Sequence, residues 1–403
     1  VVESVEPGKL PARAPIRLRA ARVRRVLGIA LSADAVAEMF VRLNLDVVRD
    51  GDDFVVTPPS YRFDLEIEED LIEEIARLHG YDNIPVLAPR GPISMLPRPE
   101  ARRDAMFVRR LVAGREFQEV INFAFVEEAW EKDFAGNADP VRLANPIASQ
   151  MSVMRSTLIG GLVANLATNR KRQTSRVRVF EIGRCFTRSP SGKPVDGFHQ
   201  PIRLAALAGG LARPEQWGEA ARNVDFFDLK ADLEALLFPR VAEFERAVHP
   251  ALHPGRSARV VLDGKVVGFI GELHPVWVQR YELGTAPVVF EIELDILLET
   301  ATPAYREVSR FPAVTRDLAL VVDQDAAAAQ LLKGLQSVAP GIVQRIELFD
   351  QYQGKGIEQN RKSLAFRVVM QETQKTLEDA EVDAVMTALT RHAEESLGAK
   401  LRA

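Results

Sequence analysis

The sequence predicts a multidomain α+β chain, on three observations. Its 403 residues are 47% hydrophobic, enough for two or three domains with separate cores. Pro85, Pro89, Pro92, Pro97 and Pro99 crowd one stretch too rich in proline for a regular element, so it reads as a linker. From Arg310 onward the apolar pattern switches between strand and helix periods in the order βαββαβ. The expected units are therefore residues 13–88, 100–300 and 310–403.

In the first unit, Val23–Leu27 reads as a short strand. Ser32 caps a helix running through Val36, Met39, Phe40 and Leu43, and Asp53–Thr57 returns as a strand after the Asp50-Gly51 turn. Pro58-Pro59-Ser60 then leads into a helix dense in carboxylates. At about 100° per residue, Leu71, Ile75 and Leu78 share a core face with Ile72 at its margin, while Asp70, Glu73 and Glu74 gather on the opposite side. Asp64 can fold back over that surface. Such crowding is costly unless something cationic compensates it. Four oxygen donors without His or Cys suit a hard cation such as Mg2+; the same spacing also describes a solvated acidic face. Gly80 ends the helix and Pro85 stops it from restarting. Helices beside a basic first strand also suit a winged-helix DNA binder, which keeps a DNA-binding reading open.

In the second unit a helix covers Ala101–Ala113, and Glu119–Val126 reads as a strand. A further helix passes through Asn165 and Asn169. Strands are expected at Val177–Phe186, Ile202–Gly209, Ser257–Leu262, Lys265–Glu272 and Pro287–Leu294, with helix Asp225–Leu237 among them. This is an antiparallel sheet with helices. His249, His253 and His274 each precede a proline and read as turn residues; no Cys or second helical His accompanies them. No phosphate-binding Gly-x-x-x-x-Gly-Lys-Ser/Thr, Gly-x-Ser-x-Gly or Cys-x-x-Cys occurs, so those nucleotide and nucleophile classes are unsupported.

The third unit places strands at Val314–Val322, Ile342–Tyr352, Ser363–Met370 and Ala399–Arg402, with helices at Ala326–Ser337 and Leu377–Ser396. That order specifies a ferredoxin-like fold, a four-stranded sheet with both helices on one face. Its open face can stack single-stranded bases on aromatic side chains.

Net charge is −4, so no global basic field advertises nucleic acid. Arg13, Arg17, Arg19, Arg22, Arg24 and Arg25 nonetheless cluster, as do Arg170, Lys171, Arg172, Arg176 and Arg178. One cysteine, Cys185, fits a reducing cytosol. No apolar run reaches the length of a membrane span and no signal-peptide core is present, so a cytoplasmic protein without membrane contact is expected. The Val-Val-Glu start suggests a fragment.

Arg62-Phe63-Asp64, Glu68-Glu69-Asp70-Leu71-Ile72-Glu73-Glu74 and Gly80-Tyr81-Asp82-Asn83-Ile84-Pro85 together resemble the B5 domain of the bacterial phenylalanyl-tRNA synthetase beta subunit. That resemblance implies a Mg2+ held by Asp64, Asp70, Glu73 and Glu74 at the contact with an alpha subunit. Asn145-Pro146-Ile147, Met154-Arg155-Ser156-Thr157-Leu158 and Phe180-Glu181-Ile182-Gly183 are similar to landmarks of the same subunit's class II synthetase-like core. An active class II site needs an Arg two residues before its motif 2 Glu to hold the ATP α-phosphate. Here Val179 precedes Glu181. No motif 3 Arg follows Gly264, Gly268 and Gly271 in register either, so a non-catalytic core is expected. Arg316-Asp317-Leu318-Ala319, Phe349-Asp350-Gln351-Tyr352 and Lys362-Ser363-Leu364 resemble the ferredoxin-fold anticodon-binding domain that ends this subunit. The family's anticodon contacts map onto Ala319, Asp350 and Tyr352.

The resemblance implies a component of a heterotetramer of two alpha and two beta subunits. It attaches phenylalanine to tRNA(Phe) with ATP bound by the alpha subunit, and the present chain holds no catalytic residue and no editing domain. Two rivals stand beside it. One is a standalone nucleic-acid-binding module without enzymatic role. The other is a metal-dependent hydrolase on the four carboxylates, disfavoured because they all lie on one short stretch.

Overall fold

The computed structural model describes residues 13–88, 91–95, 99–302 and 307–402, together with residues 6, 8, 97, 304 and 305. Positions 89, 90, 96 and 98 of the expected linker, the Val-Val-Glu start and residue 403 lie outside the described residues. Two compact units divide at 96/97. Among the described residues no helix is long and apolar enough to cross a membrane.

In the first unit, strand Asp53–Thr57 lies between Ile16–Leu18 and Asp46–Asp50, antiparallel to both. Helices Ala20–Leu27, Ala33–Arg42 and Glu68–His79 complete it. Leu18, Val23, Val36, Phe40, Phe54, Val56, Leu71 and Ile75 share one buried core, in which Phe40 and Phe54 meet edge to face at 6.0 Å. Ser32 caps the second helix as expected, accepting from the Ala35 N–H. The expected strand at Val23–Leu27 is instead helix. Val23 and Leu27, four residues apart, turn one side to the core and leave Val26 exposed; Gly28 closes the turn at φ 71°. The strand lies earlier, at Ile16–Leu18.

The second unit is built on seven adjacent strands, in the order Glu243–Arg246, Leu252–Leu262, Lys265–Leu273, Val288–Glu293, Ile202–Gly210, Arg176–Arg184 and Gln118–Glu119. All neighbours run antiparallel except the last pair, which is parallel. Both faces are covered. Leu204, Ala206 and Ala208 face helices Ala105–Gly114 and Phe226–Leu237, whereas Ala205 and Leu207 face helix Ile159–Lys171. That explains why Leu204–Gly210 is an unbroken buried run rather than an alternating one. The long strand expected at Glu119–Val126 shrinks to two pairs of residues. Phe125–Val126 pairs with Val153–Met154, and Ile121 and Phe123 between them stand 92% and 68% exposed.

Farther along the same unit, Val343–Tyr352, Arg361–Met370, Val314–Asp323 and Lys400–Leu401 form a four-stranded antiparallel sheet in that order. Helices Ala328–Val338 and Asp379–Ser396 pack Leu331, Leu335, Val382, Val385 and Leu389 on Leu318, Leu320, Leu364, Phe366 and Val368. Alternation along the strands turns Asp317, Ala319, Ala365 and Arg367 to the opposite, open face.

Candidate functional sites

The carboxylate-rich helix Glu68–His79 draws its compensating charge from arginines of its own unit. Arg62 donates to Asp64 through Nε (2.9 Å to Oδ1) and Nη2 (2.7 Å to Oδ2), and through Nη2 to Glu74 Oε1 at 2.9 Å. Arg77 reaches the other Glu74 oxygen at 2.5 Å. Asp70 caps the helix, its Oδ2 accepting from the Glu66 and Ile67 N–H groups at 2.7 and 2.8 Å. Glu73 points to solvent, but Glu74 is buried, against the expectation that it lies on the polar face. Its carboxylate can be buried there because two guanidiniums cover it. Arg17, Arg19 and Arg22, members of the first basic cluster, pair with Asp53, Glu68 and Glu69.

As placed, Asp64, Asp70, Glu73 and Glu74 do not fit a divalent cation. Two of the carboxylates are taken by Arg62, one caps the helix and one faces away. Among the described residues no group of three or more His, Cys, Asp or Glu is arranged to hold a metal ion. The Arg62 hydrogen bonds hold Asp64 down at about 2, with desolvation opposing them. A carboxyl depressed on folding stabilises above its unfolded value near 3.8 and loses that contribution as pH falls toward 2. A 13C titration of the Asp64 carboxyl is expected to show a midpoint near 2 in the folded chain and an ordinary aspartate midpoint in Arg62→Gln. An ordinary midpoint in the unsubstituted chain contradicts the pairing.

In the core, three consecutive residues each reach a different buried glutamate. Arg155 Nη1 donates to Glu181 Oε1 at 2.7 Å, Ser156 Oγ to Glu131 Oε2 at 2.5 Å, and Thr157 Oγ1 to Glu291 Oε1 at 3.0 Å. Asn122 Nδ2 takes the second Glu181 oxygen at 2.7 Å. A Cβ on Gly183 would lie 2.2 Å from Arg155 Nη2, so the glycine leaves room for the guanidinium. Val179, at the place where an adenylating site needs its arginine, is buried in the apolar core. His249, His253 and His274 behave as turn residues, each Nδ1 accepting the backbone N–H two residues on.

On the open sheet, Asp350, Ala365 and Ala319 fall in one row across three strands, and Tyr352 stands opposite Ser363. Asp350 and Tyr352 are exposed. The Tyr352 ring lies 5.1 Å beneath the Arg402 guanidinium, whose backbone N–H donates to Ala319 O at 2.9 Å. Arg367 covers Phe349 at 4.5 Å and forms two 3.0 Å bonds to Asp317. Ser363 lies in the Lys362-Ser363-Leu364 motif, whereas no motif of the sequence points to Arg367 or Arg402. Alternation along Ser363–Val369 puts Ser363 and Arg367 on this face, but nothing local places the chain end beside Tyr352.

A family model described as phenylalanyl tRNA synthetase beta chain CLM domain matches residues 84–294, more than half of the sequence. The chain belongs to the phenylalanyl-tRNA synthetase beta-chain family. Further models of this family's domains match on either side: the tRNA synthetase B5 domain at 16–81 and the ferredoxin-fold anticodon binding domain at 309–402. Relatives named phenylalanine–tRNA ligase beta subunit align over nearly the whole chain. The one from Aromatoleum aromaticum is 64% identical over 99% of it, that from Dechloromonas aromatica 58% over 98%, and that from Chromobacterium violaceum 52% over 100%. Each alignment covers 50% of the relative, so the chain spans about half the length of these beta subunits.

Proposed function

We propose that the chain is the part of a phenylalanine–tRNA ligase beta subunit that supports a catalytic alpha subunit and reads the tRNA(Phe) anticodon, within a cytoplasmic assembly of two alpha and two beta chains. The observation carrying this reading is a core whose Glu181 is paired beside an uncharged Val179, together with an open, aromatic-bearing sheet. Glu181 is fully used by Arg155 and Asn122, and Val179 offers no charge to a phosphate. ATP therefore falls to the alpha subunit. Exposed Ile121, Phe123 and Ile147 are apolar surface suited to that partner.

The finer fold reading belongs to the same proposal: a winged-helix-like B5 unit, a class II synthetase-like core and a ferredoxin-like last domain. Three helices on a three-stranded sheet, the seven-stranded sheet with one parallel edge, and the spatial order of the last four strands support it. The domain limits 13–88, 100–300 and 310–403 stand with it. Mg2+ at Asp64, Asp70, Glu73 and Glu74 requires Arg62 to leave Asp64 and Glu74, and no step of the proposed function passes through the metal.

Size-exclusion chromatography of the full-length subunit mixed with its alpha subunit, with and without EDTA, tests assembly. Co-elution as a heterotetramer is expected; a chain that stays alone and binds nucleic acid by itself favours the standalone-module rival. Loss of the complex in EDTA would support the Mg2+ role, and its persistence would count against it. For the anticodon, Tyr352→Ala is expected to weaken tRNA(Phe) binding by about 1–3 kcal/mol, the range of one stacked base, and Asp350→Ala by about 1.5–3 kcal/mol, the range of a hydrogen bond to a charged acceptor. Equal affinity of variants and parent in filter binding would remove this face from the interaction.

A further inference from the structure

The sheet face under helix Ile159–Lys171 carries a cavity of about 380 Å3, the size of a small metabolite. Its charged lining is Arg188, Arg203, Asp139 and Glu291, joined by His249 and by the small neutral side chains of the remaining wall. The key lining groups are held from behind. Ser156 gives its N–H to Glu131 at 2.8 Å as well as its hydroxyl. Glu131 sits buried on a π-helical turn, Glu131–Ala135, a rare geometry that recurs at functional sites, and takes a third bond from Asn137. Glu291 accepts from Leu158 N at 2.6 Å, from Thr157 Oγ1, and from Arg203 Nη1 at 2.8 Å. Burial works against the Arg203 charge, yet Glu291 outweighs it and leaves its pKa above the ordinary arginine value. His249 packs on Phe269 at 4.8 Å, and its Nδ1 accepts the Ala251 N–H, which leaves the proton of the neutral ring on Nε2. Burial lowers its pKa and favours that neutral form.

The acids are thus spent on holding the walls, whereas donors remain for an occupant. Among the described residues, Arg203 Nε and Nη2 and His249 Nε2 have no hydrogen-bond partner in the protein, and Arg188 shares the rim with Asp139 at 3.0 Å. Locked, convergent donors in a cavity of this size complement anionic oxygen. We propose that this pocket binds a small molecule through its carboxylate or phosphate oxygens, with Arg203 and His249 as donors. The site is separate from the anticodon face and does not depend on the assembly reading.

Equilibrium dialysis of the full-length subunit in its native complex, against radiolabelled inorganic phosphate and separately acetate, tests it. Two variants accompany the parent: Arg203→Lys, which keeps the charge but changes the donors, and Thr187→Trp, which fills the cavity from its rim without touching an ion pair. Saturable millimolar binding of at least one probe, weakened about tenfold or more in both variants, is expected. Preference for phosphate identifies a phosphorylated occupant and preference for acetate a carboxylate. Absence of saturable binding, or binding that either variant leaves unchanged, overturns the proposal.

Discussion

Glu181→Ala is expected to lower the unfolding free energy by about 3–5 kcal/mol, the usual cost of removing one partner from a buried ion pair. Arg155 and Glu181 side chains are only 6% and 3% exposed, and Arg155 also holds Arg184 O. Without the carboxylate, the guanidinium keeps one backbone acceptor and no opposing charge at its Nη1. The double replacement Arg155→Met with Glu181→Met separates charge from shape, because it removes both charges from the buried site. It should recover most of the loss. Urea unfolding followed by tryptophan fluorescence, to which Trp130 and Trp277 contribute from the edge of a buried core cluster, measures both. A single substitution costing under about 1 kcal/mol, the range of exposed pairs, would show that the pair is solvated.

Asp232→Ala is expected to cost a similar amount, about 3–5 kcal/mol, for a different reason. This one carboxylate serves two arginines, Arg115 at 2.5 Å and Arg178 on its other oxygen. Arg178 is buried, lies 4.0 Å over the Phe117 ring, and has no partner for its Nε. Removing Asp232 leaves two like charges beside one another with Arg115 O as the acceptor remaining to Arg178. Asp232→Asn keeps an acceptor without the charge and should fall between parent and Ala. Equal unfolding midpoints for Asn and Ala would mean that the charge, not the hydrogen bond, carries the whole effect. Equal midpoints for Ala and parent would contradict the buried pairing.

The parts legible in the sequence were those with a long, unambiguous period. Val314–Asp323, Arg361–Met370 and the helix Asp379–Ser396 lie within a few residues of their expected limits because strict alternation or a 3.6 period runs through each. Val23–Leu27 failed because five residues of apolar and basic character fit both periods, and only the cores they pack against decide. Ile121 and Phe123 misled for a related reason: apolar residues in alternation look like a buried strand even when the surface they leave exposed has some other use. The motifs point to Asp350, Ala319 and Tyr352, but the row that Asp350 and Ala319 form across Ala365 depends on strand register. Arg402 reaches Tyr352 from the far end of the chain, and no local pattern reveals such a contact. Arg62 was visible in its motif but not as the partner of Glu74, twelve residues away, whose burial inverted the face assigned to it.

The triple anchoring of Arg155, Ser156 and Thr157 has a consequence for how this segment tolerates change in length. Its three glutamates come from the strands Arg176–Arg184 and Val288–Glu293 and from the turn Glu131–Ala135, so each tooth of the key enters a separate lock. Sliding the segment by one position would offer serine to the carboxylate that now faces a guanidinium and carry Arg155 away from Glu181. A single-residue insertion or deletion here is therefore a frameshift in three dimensions, misaligning three contacts at once, whereas the exposed run 213–221 can gain or lose a residue without disturbing any of them.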